Sequence, residues 1–456
     1  MKKRRFLSLF LLLSLLLSLF LTPRACALED FNLDAKAGLL VEASTGEILY
    51  QKNAHQENYP ASITKVMTAL LVLEAIDDGK LSLADPVTAS ETALHGLPTD
   101  GSTANIKVGE TLTVEQLLYC MLVVSANEAC NILAEAVCGN TADFVACMNA
   151  RAAELGCENT HYVNTSGLHD PNHYSSAWDI YLIACEAMKH DLFMTICNTK
   201  SYDIPATNMT EKPRTLHSTN YLISNWRAIG YLYRDAQGIK TGSTPEAGYC
   251  LVSSAVRGSR TLISVVLGAE RREEEDGVTR TYSFIETSRL FDHGFENFIS
   301  RNIISSDEAV CEVPVALSSE TNYVVVHPAE DYTRMLPADL SPEDLERTVT
   351  LYSETVNAPI AAGDELGTLT LSYQDTVYGE VPLLALADVS ASWLLVARHN
   401  ISEFFSRTTV KLIVLVLLVL ILALLVYRLT FSRRRRYGRS HAGTSRSGYR
   451  GRRRRR

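Results

Sequence analysis

The chain has 456 residues, with 43 Lys and Arg against 52 Asp and Glu, a formal net charge of −9. The charge is divided by position: five basic residues precede residue 28, fourteen follow residue 410, neither end holds an acid, and the body between carries 24 basic groups against all 52 acids, a net of −28. A body of that sign excludes polyphosphate binding without a local basic patch, and 46% hydrophobic with 21% charged residues excludes a disordered chain.

The first 27 residues read as a secretory signal: a basic start at Lys2 to Arg5, an apolar run over 6–21, and Ala25-Cys26-Ala27 before a mature start at Leu28. Leu39-Leu40-Val41-Glu42 and Ile48-Leu49-Tyr50 flank Ser44-Thr45-Gly46 as a hairpin. Pro60 opens a helix whose apolar stripe is Val66, Leu70, Leu73 and Ile76, and Gly79 ends it. Helices follow over 114–124 and 129–137, broken at Ser125-Ala126-Asn127, then over 142–155 and 177–189. Strands 249–255 and 261–267 turn at Arg257-Gly258-Ser259, and an amphipathic helix over 284–298 closes a helix-rich body flanked by antiparallel strands, an α+β architecture.

Beyond residue 304 the pattern becomes short strands, at 310–315, 323–326, 348–351, 367–373 and 377–386, with turns marked by Asp364 and Gly379. This predicts a small all-β domain over 304–390. Residues 391–409 form an amphipathic connector carrying Trp393, Phe404 and Phe405. An apolar run centred on 412–426 predicts a membrane helix over 410–431. Sixteen residues between Lys411 and Arg428 give about 24 Å of helix against a hydrocarbon core of ~30 Å, which snorkelling of both cations makes up. The Arg-rich tail, 432–456, keeps that end cytoplasmic, so the body is expected outside the cell membrane on a single-pass anchor. The tail reads as a stop-transfer anchor, with no nucleic-acid partner expected.

Nine cysteines remain after the signal, without a C-x-x-C pair, and read as mostly buried thiols. The eleven His show no ligand spacing, so neither a metal nor another cofactor is expected.

Three short patterns carry chemistry. In Ser62-Ile63-Thr64-Lys65 a hydroxyl and an amine are three positions apart, on one helix face, in a first turn whose N–H groups favour a developing anion. A lysine made neutral by burial there takes the serine proton. Taken alone Ser62 is equally a helix cap. Ser125-Ala126-Asn127 sits in a break between apolar helices; Ser218-Thr219-Asn220 is a second match to the same pattern, and both read equally as turns. Lys240-Thr241-Gly242, with Ser243 after it, precedes a strand, where the glycine permits close approach and the lysine offers charge to a carboxylate.

The order S-x-x-K, S-x-N, K-T-G is that of the penicillin-recognising serine enzymes. The run from Pro60 to Thr68, the run Gly167-Leu168-His169-Asp170-Pro171-Asn172-His173-Tyr174-Ser175-Ser176-Ala177, and the block 238–268 resemble the low-molecular-weight penicillin-binding proteins, the serine D-alanyl-D-alanine carboxypeptidases. The region 359–386 is similar to the β-domain that follows the catalytic domain in that family. The resemblance implies a catalytic domain over 28–303 with the penicillin-recognising transpeptidase/β-lactamase-like fold.

It also implies roles. Ser62 attacks the penultimate D-Ala carbonyl and forms an acyl-enzyme. Lys65 is the general base. Ser125 relays a proton to the leaving amine. Asn127 bonds the substrate amide and holds Lys65. Lys240 and Thr241 bind the terminal carboxylate, and Lys240 depresses the Lys65 pKa. The N–H groups of Ser62 and Ser243 form the oxyanion hole, beside Gly242. A carboxylate-binding arginine is expected after Gly268; Arg271, Arg272 and Arg280 compete, and Arg280 is preferred because it opens the last helix. The 167–177 loop reads either as a cleft wall or as a device that closes the fold through a cap at Ser176.

The implied partners are a peptidoglycan stem peptide ending in D-Ala-D-Ala and β-lactams as covalent inhibitors. The alternatives are a muropeptide endopeptidase, a β-lactamase, and an inactive membrane-tethered wall-binding protein. A β-lactamase of class A needs a glutamate in an E-x-x-L-N motif, which this sequence lacks.

Overall fold

The structure is a computed structural model that describes residues 31–374 and 376–432. The expected export signal and the Arg-rich tail beyond Ser432 lie outside the described residues. The chain forms two compact units: the first runs up to Ile303 and regains Thr333–Leu345, and the second takes Ile304–Tyr332 and everything from Glu346 onward. In the segment that returns to the first unit, strand Tyr332–Pro337 pairs with strand Phe298–Ile304.

The first unit is organised by a five-stranded antiparallel sheet. Its order is Ile48–Lys52, Ala37–Glu42, Arg260–Ala269, Gly248–Arg257 and, at the edge, Ala236–Thr244. Alternate side chains of a strand face opposite sides. Leu39, Val41, Ile263, Val265 and Leu267 accordingly join the helical core on one face, while Leu40, Leu262 and Val266 join a second core under helix Tyr282–Asn297 on the other. Both faces are covered, which is why Ala37–Glu42 is buried along its whole length.

A short 3-10 turn, Ala61–Thr64, leads into helix Lys65–Asp77, and Gly79, at φ +72°, ends it. The expected apolar stripe understates this helix. Met67, Ala69, Val72 and Ala75 are buried as well as Val66, Leu70 and Leu73, because helices Val114–Val123, Asn127–Cys138, Thr141–Glu154 and Ala177–Ala187 surround it. A helix apolar on nearly all sides is a central one. Thr113 and Gln116 form a reciprocal capping box at the start of Val114–Val123. Ser176 caps Ala177–Ala187 by accepting from the Asp179 N–H at 3.1 Å.

The second unit contains a six-stranded sheet ordered Glu346–Leu351, Glu365–Tyr373, Thr376–Ala385, Tyr323–Pro328, Cys311–Ala316, Val356–Asn357. Gly379, expected to mark a turn, lies inside the Thr376–Ala385 strand opposite Leu371, where the register shifts. A glycine in a strand fits such a bulge. Helices Trp393–Ser406 and Thr408–Ser432 follow. The second has 25 residues, longer than the expected span by a few residues, and at ~1.5 Å per residue it exceeds a hydrocarbon core of ~30 Å.

Candidate active site

Three parts of the chain meet at Ser62: the start of the central helix, the break between helices Val114–Val123 and Asn127–Cys138, and the edge strand Ala236–Thr244. A cavity of about 400 Å³ lies there, lined by Ser62, Ser125, Thr241, Gly242 and Ser243.

The i, i+3 spacing does what the sequence reading expects. Lys65 Nζ is 2.8 Å from Ser62 Oγ, 2.9 Å from Asn127 Oδ1 and 2.7 Å from the Ser166 carbonyl oxygen. The amide oxygen and the carbonyl can only accept. A neutral amine has two N–H bonds for them and one lone pair left, and Ser62 is the neighbour able to donate into it. Lys65 is fully buried, and burial brings its pKa down to about 8.

Two non-glycine residues at the site have left-handed backbone: Ala61 at φ 48° and Ser125 at φ 67°. Such conformations cost about 1–3 kcal/mol each and persist where neighbours impose them. At Ala61 the imposing chain is visible. Val163 N–H donates to His173 Nδ1 at 3.1 Å, which leaves the proton on Nε2. His173 Nε2 then donates to Thr64 Oγ1 at 2.8 Å, and Thr64 donates to the Ala61 carbonyl at 2.8 Å. Burial lowers the His173 pKa to about 4, so the ring is neutral in this role. At Ser125 the unusual backbone presents a buried hydroxyl with no hydrogen-bond partner among the described residues. Ser125 lines the cavity, so this hydroxyl lies at the cleft wall.

Glu128 fixes the wall beside Asn127. Its buried carboxylate accepts from Thr103 Oγ1 at 2.6 Å and the Ala104 N–H at 2.7 Å, while the Asn127 N–H donates to the Ser102 carbonyl at 2.9 Å. Sequence reading missed Glu128, although it follows Asn127 directly.

On the third side, a Cβ on Gly242 would meet the Pro60 carbonyl oxygen at 2.8 Å and the Ser62 nitrogen at 3.0 Å. Only glycine lets the strand come this near the Ser62 N–H. Gly167 has the same function on the loop side: at φ +86°, its added Cβ would be 1.8 Å from the Ala61 oxygen. Of the two readings of the 167–177 loop, the cap at Ser176 is present, and none of the loop's residues lines the cavity. Next to the loop, the Ser166 carbonyl holds Lys65.

Lys240 sits differently from the expectation. It is 1% exposed, does not line the cavity, and donates to its neighbour's carbonyl, Thr241 O, at 3.0 Å. Burial, and then the charge of Lys65, bring its pKa down to about 7. Burial, not Lys240, is what lowers Lys65 most. The strand turns Thr241, not Lys240, to the cleft, where Thr241 Oγ1 is 2.6 Å from Thr219 Oγ1.

The preferred arginine is also corrected. Arg280 is ion-paired with Asp276 at 2.5 Å on an exposed hairpin and does not line the cavity. Arg272 is held by Asp34 and Glu274 over the Tyr282 ring. Arg271 lines the cavity, and so does Arg227, which sequence reading did not single out. The Ser218-Thr219-Asn220 match is more than a chance turn: Asn220 Nδ2 donates to the Gly238 carbonyl at 2.7 Å, bracing the start of the edge strand, and Thr219 lines the cleft. Among the described residues no three His, Cys, Asp or Glu side chains converge to hold a metal ion.

The profile of the D-alanyl-D-alanine carboxypeptidase family, peptidase S11, matches residues 24–271, and that of the penicillin-binding protein 5 C-terminal domain matches 298–391. The D-alanyl-D-alanine carboxypeptidase DacF of Bacillus subtilis is 32% identical over 356 residues, 78% of this chain and 86% of its own length. DacC of Escherichia coli is 30% identical over 376 residues, covering 80% of this chain and 88% of its own. Among solved structures, penicillin-binding protein 5 of Haemophilus influenzae superposes with a TM-score of 0.61 at 29% identity, over 79% of this chain and 98% of that one.

Proposed function

The chain belongs to the D-alanyl-D-alanine carboxypeptidase family of serine peptidases, and from that premise we propose how its residues divide the reaction. It removes the terminal D-Ala from peptidoglycan pentapeptides and is acylated by penicillins. The observation that supports the assignment is the Lys65 contact set: two pure acceptors and one hydroxyl around a buried amine.

Neutral Lys65 takes the Ser62 proton as Oγ attacks the carbonyl of the penultimate D-Ala. The oxygen that becomes negative is met by the Ser62 and Ser243 N–H groups, in place before reaction. Asn127 bonds the substrate amide and keeps Lys65 aimed. The Ser125 hydroxyl passes a proton from Lys65 to the departing amine, and D-Ala leaves. Thr241 and Arg271, which line the cavity, hold its carboxylate. Water, deprotonated by the same lysine, then hydrolyses the acyl-enzyme.

The catalytic domain is 28–303 and the β-domain 304–390, after removal of a signal over 1–27. The helix Thr408–Ser432 anchors the chain in the cell membrane, with the body outside and the Arg-rich tail in the cytoplasm. Incubation of the protein with a pentapeptide, followed by mass spectrometry, tests the reaction. Loss of one D-Ala is expected from wild type and none from Ser62→Ala; release of D-Ala by Ser62→Ala would overturn the assignment.

A further inference from the structure

The edge strand Ala236–Thr244 has a neighbour on one side only in its sheet, so an extended peptide can add to its free side as an antiparallel strand. The assigned roles fix the direction. With the terminal carboxylate at Thr241 and the scissile carbonyl at the Ser62 and Ser243 N–H groups, upstream residues run past Thr244 at ~3.3 Å each. The third residue of the stem peptide, its diamino acid, then lies beside Pro245 and Glu246.

A separate cavity of about 300 Å³ opens at that end of the strand, lined by Lys36, Glu57, Tyr59, Tyr174 and Glu246 among others. It carries both signs of charge. Glu246 Oε2 is 4.0 Å from His169 Nδ1, and the His169 ring meets Tyr59 edge-on at 4.7 Å, so the acid stands on a packed wall. Across from it, the Lys36 side chain lies over Gly268, where a Cβ would come within 2.6 Å of its stem. The absence of a side chain at Gly268 is what lets the Lys36 stem take this course.

We propose that this cavity binds the far end of the diamino acid side chain, Glu246 and Glu57 meeting its ammonium and Lys36 meeting a carboxylate there. The inference rests on the function proposed above and extends it to substrate choice. A side chain ending in both charges, as in diaminopimelate, satisfies the two acids and the lysine. A lysine side chain satisfies the acids and leaves Lys36 unused. The enzyme therefore prefers diaminopimelate-type over lysine-type stem peptides.

The test uses the full chain in detergent and three synthetic pentapeptides with diaminopimelate, lysine or alanine at the third position, with fluorescent penicillin acylation measured in parallel. Wild type is expected to rank them in that order by kcat/KM. Lys36→Ala should lower the diaminopimelate-to-lysine ratio about three- to fivefold, and Glu246→Gln should lower the lysine-to-alanine ratio by a similar factor. Equal kcat/KM for all three peptides in wild type, or variants that slow all three by one common factor, would overturn the proposal while penicillin labelling still stands. Absence of labelling and of D-Ala release from every peptide would overturn the parent function as well.

Discussion

The Nζ of Lys65 stands 2.8 Å from Ser62 Oγ, and its other two contacts, Asn127 Oδ1 and the Ser166 carbonyl, can only accept hydrogen bonds. The lone pair of the neutral amine is thereby directed at the serine. The geometry makes base strength a matter of protonation, and burial sets the protonation.

Penicillin acylation should rise with pH as Lys65 loses its proton, with an inflection near its lowered pKa of about 8. The sign follows from the role: the charged form has no lone pair, so activity grows above the pKa. Lys65→Arg keeps the charge and cannot deprotonate; acylation by it should fall by about 10²–10⁴ at every pH. Stopped-flow labelling across pH 6–10 measures both.

Ser125→Ala should separate activity from stability. The Ser125 hydroxyl is buried without a partner among the described residues, so its removal relieves an unsatisfied polar group and leaves the melting temperature unchanged or higher. Turnover should fall by about 10²–10⁴ if the hydroxyl carries the proton to the leaving amine. A melting temperature that drops in step with turnover would place Ser125 in the framework instead.

Arg271 and Arg280 should behave oppositely on a peptide substrate. Arg271 lines the cleft, while Arg280 is already paired with Asp276. Arg271→Ala should lower kcat/KM on the order of 10-fold or more, the loss of a charge-assisted hydrogen bond to the carboxylate. Arg280→Ala should leave it near the wild-type value. Steady-state D-Ala release decides between them.

His173 predicts a loss of stability in acid. Its folded pKa is lowered to about 4 by burial, below the ordinary 6.5. The unfolded chain therefore binds a proton first as pH falls, and stability contributed by the neutral ring is present above 6.5 and lost between 6.5 and 4, at up to about 1.4 kcal/mol per pH unit. His173→Gln, which preserves a donor toward Thr64, should be less stable at pH 7 and show a shallower slope of melting temperature across that window.

The sequence by itself determined the elements and the chemistry that local spacing encodes. Helical periodicity puts Ser62 and Lys65 on one face, so their pairing follows from numbering alone. The short apolar run Leu39-Leu40-Val41 before the Ser44-Thr45-Gly46 turn marks a strand, and the all-β segment after 304 is legible in its turn signals. Tertiary structure decided which charges face the substrate. Lys240 and Thr241 are neighbours, and strand alternation turns one inward and the other to the cleft; which was which depended on the sheet's covered faces. Arg227, Arg271 and Thr219 reach the cleft from segments far apart in the chain, and nothing in their local sequence distinguishes them from Arg280 or Arg272. The buried support of Glu128 and His173 was equally invisible, because a polar side chain declares its partner only when folding removes water and leaves it one.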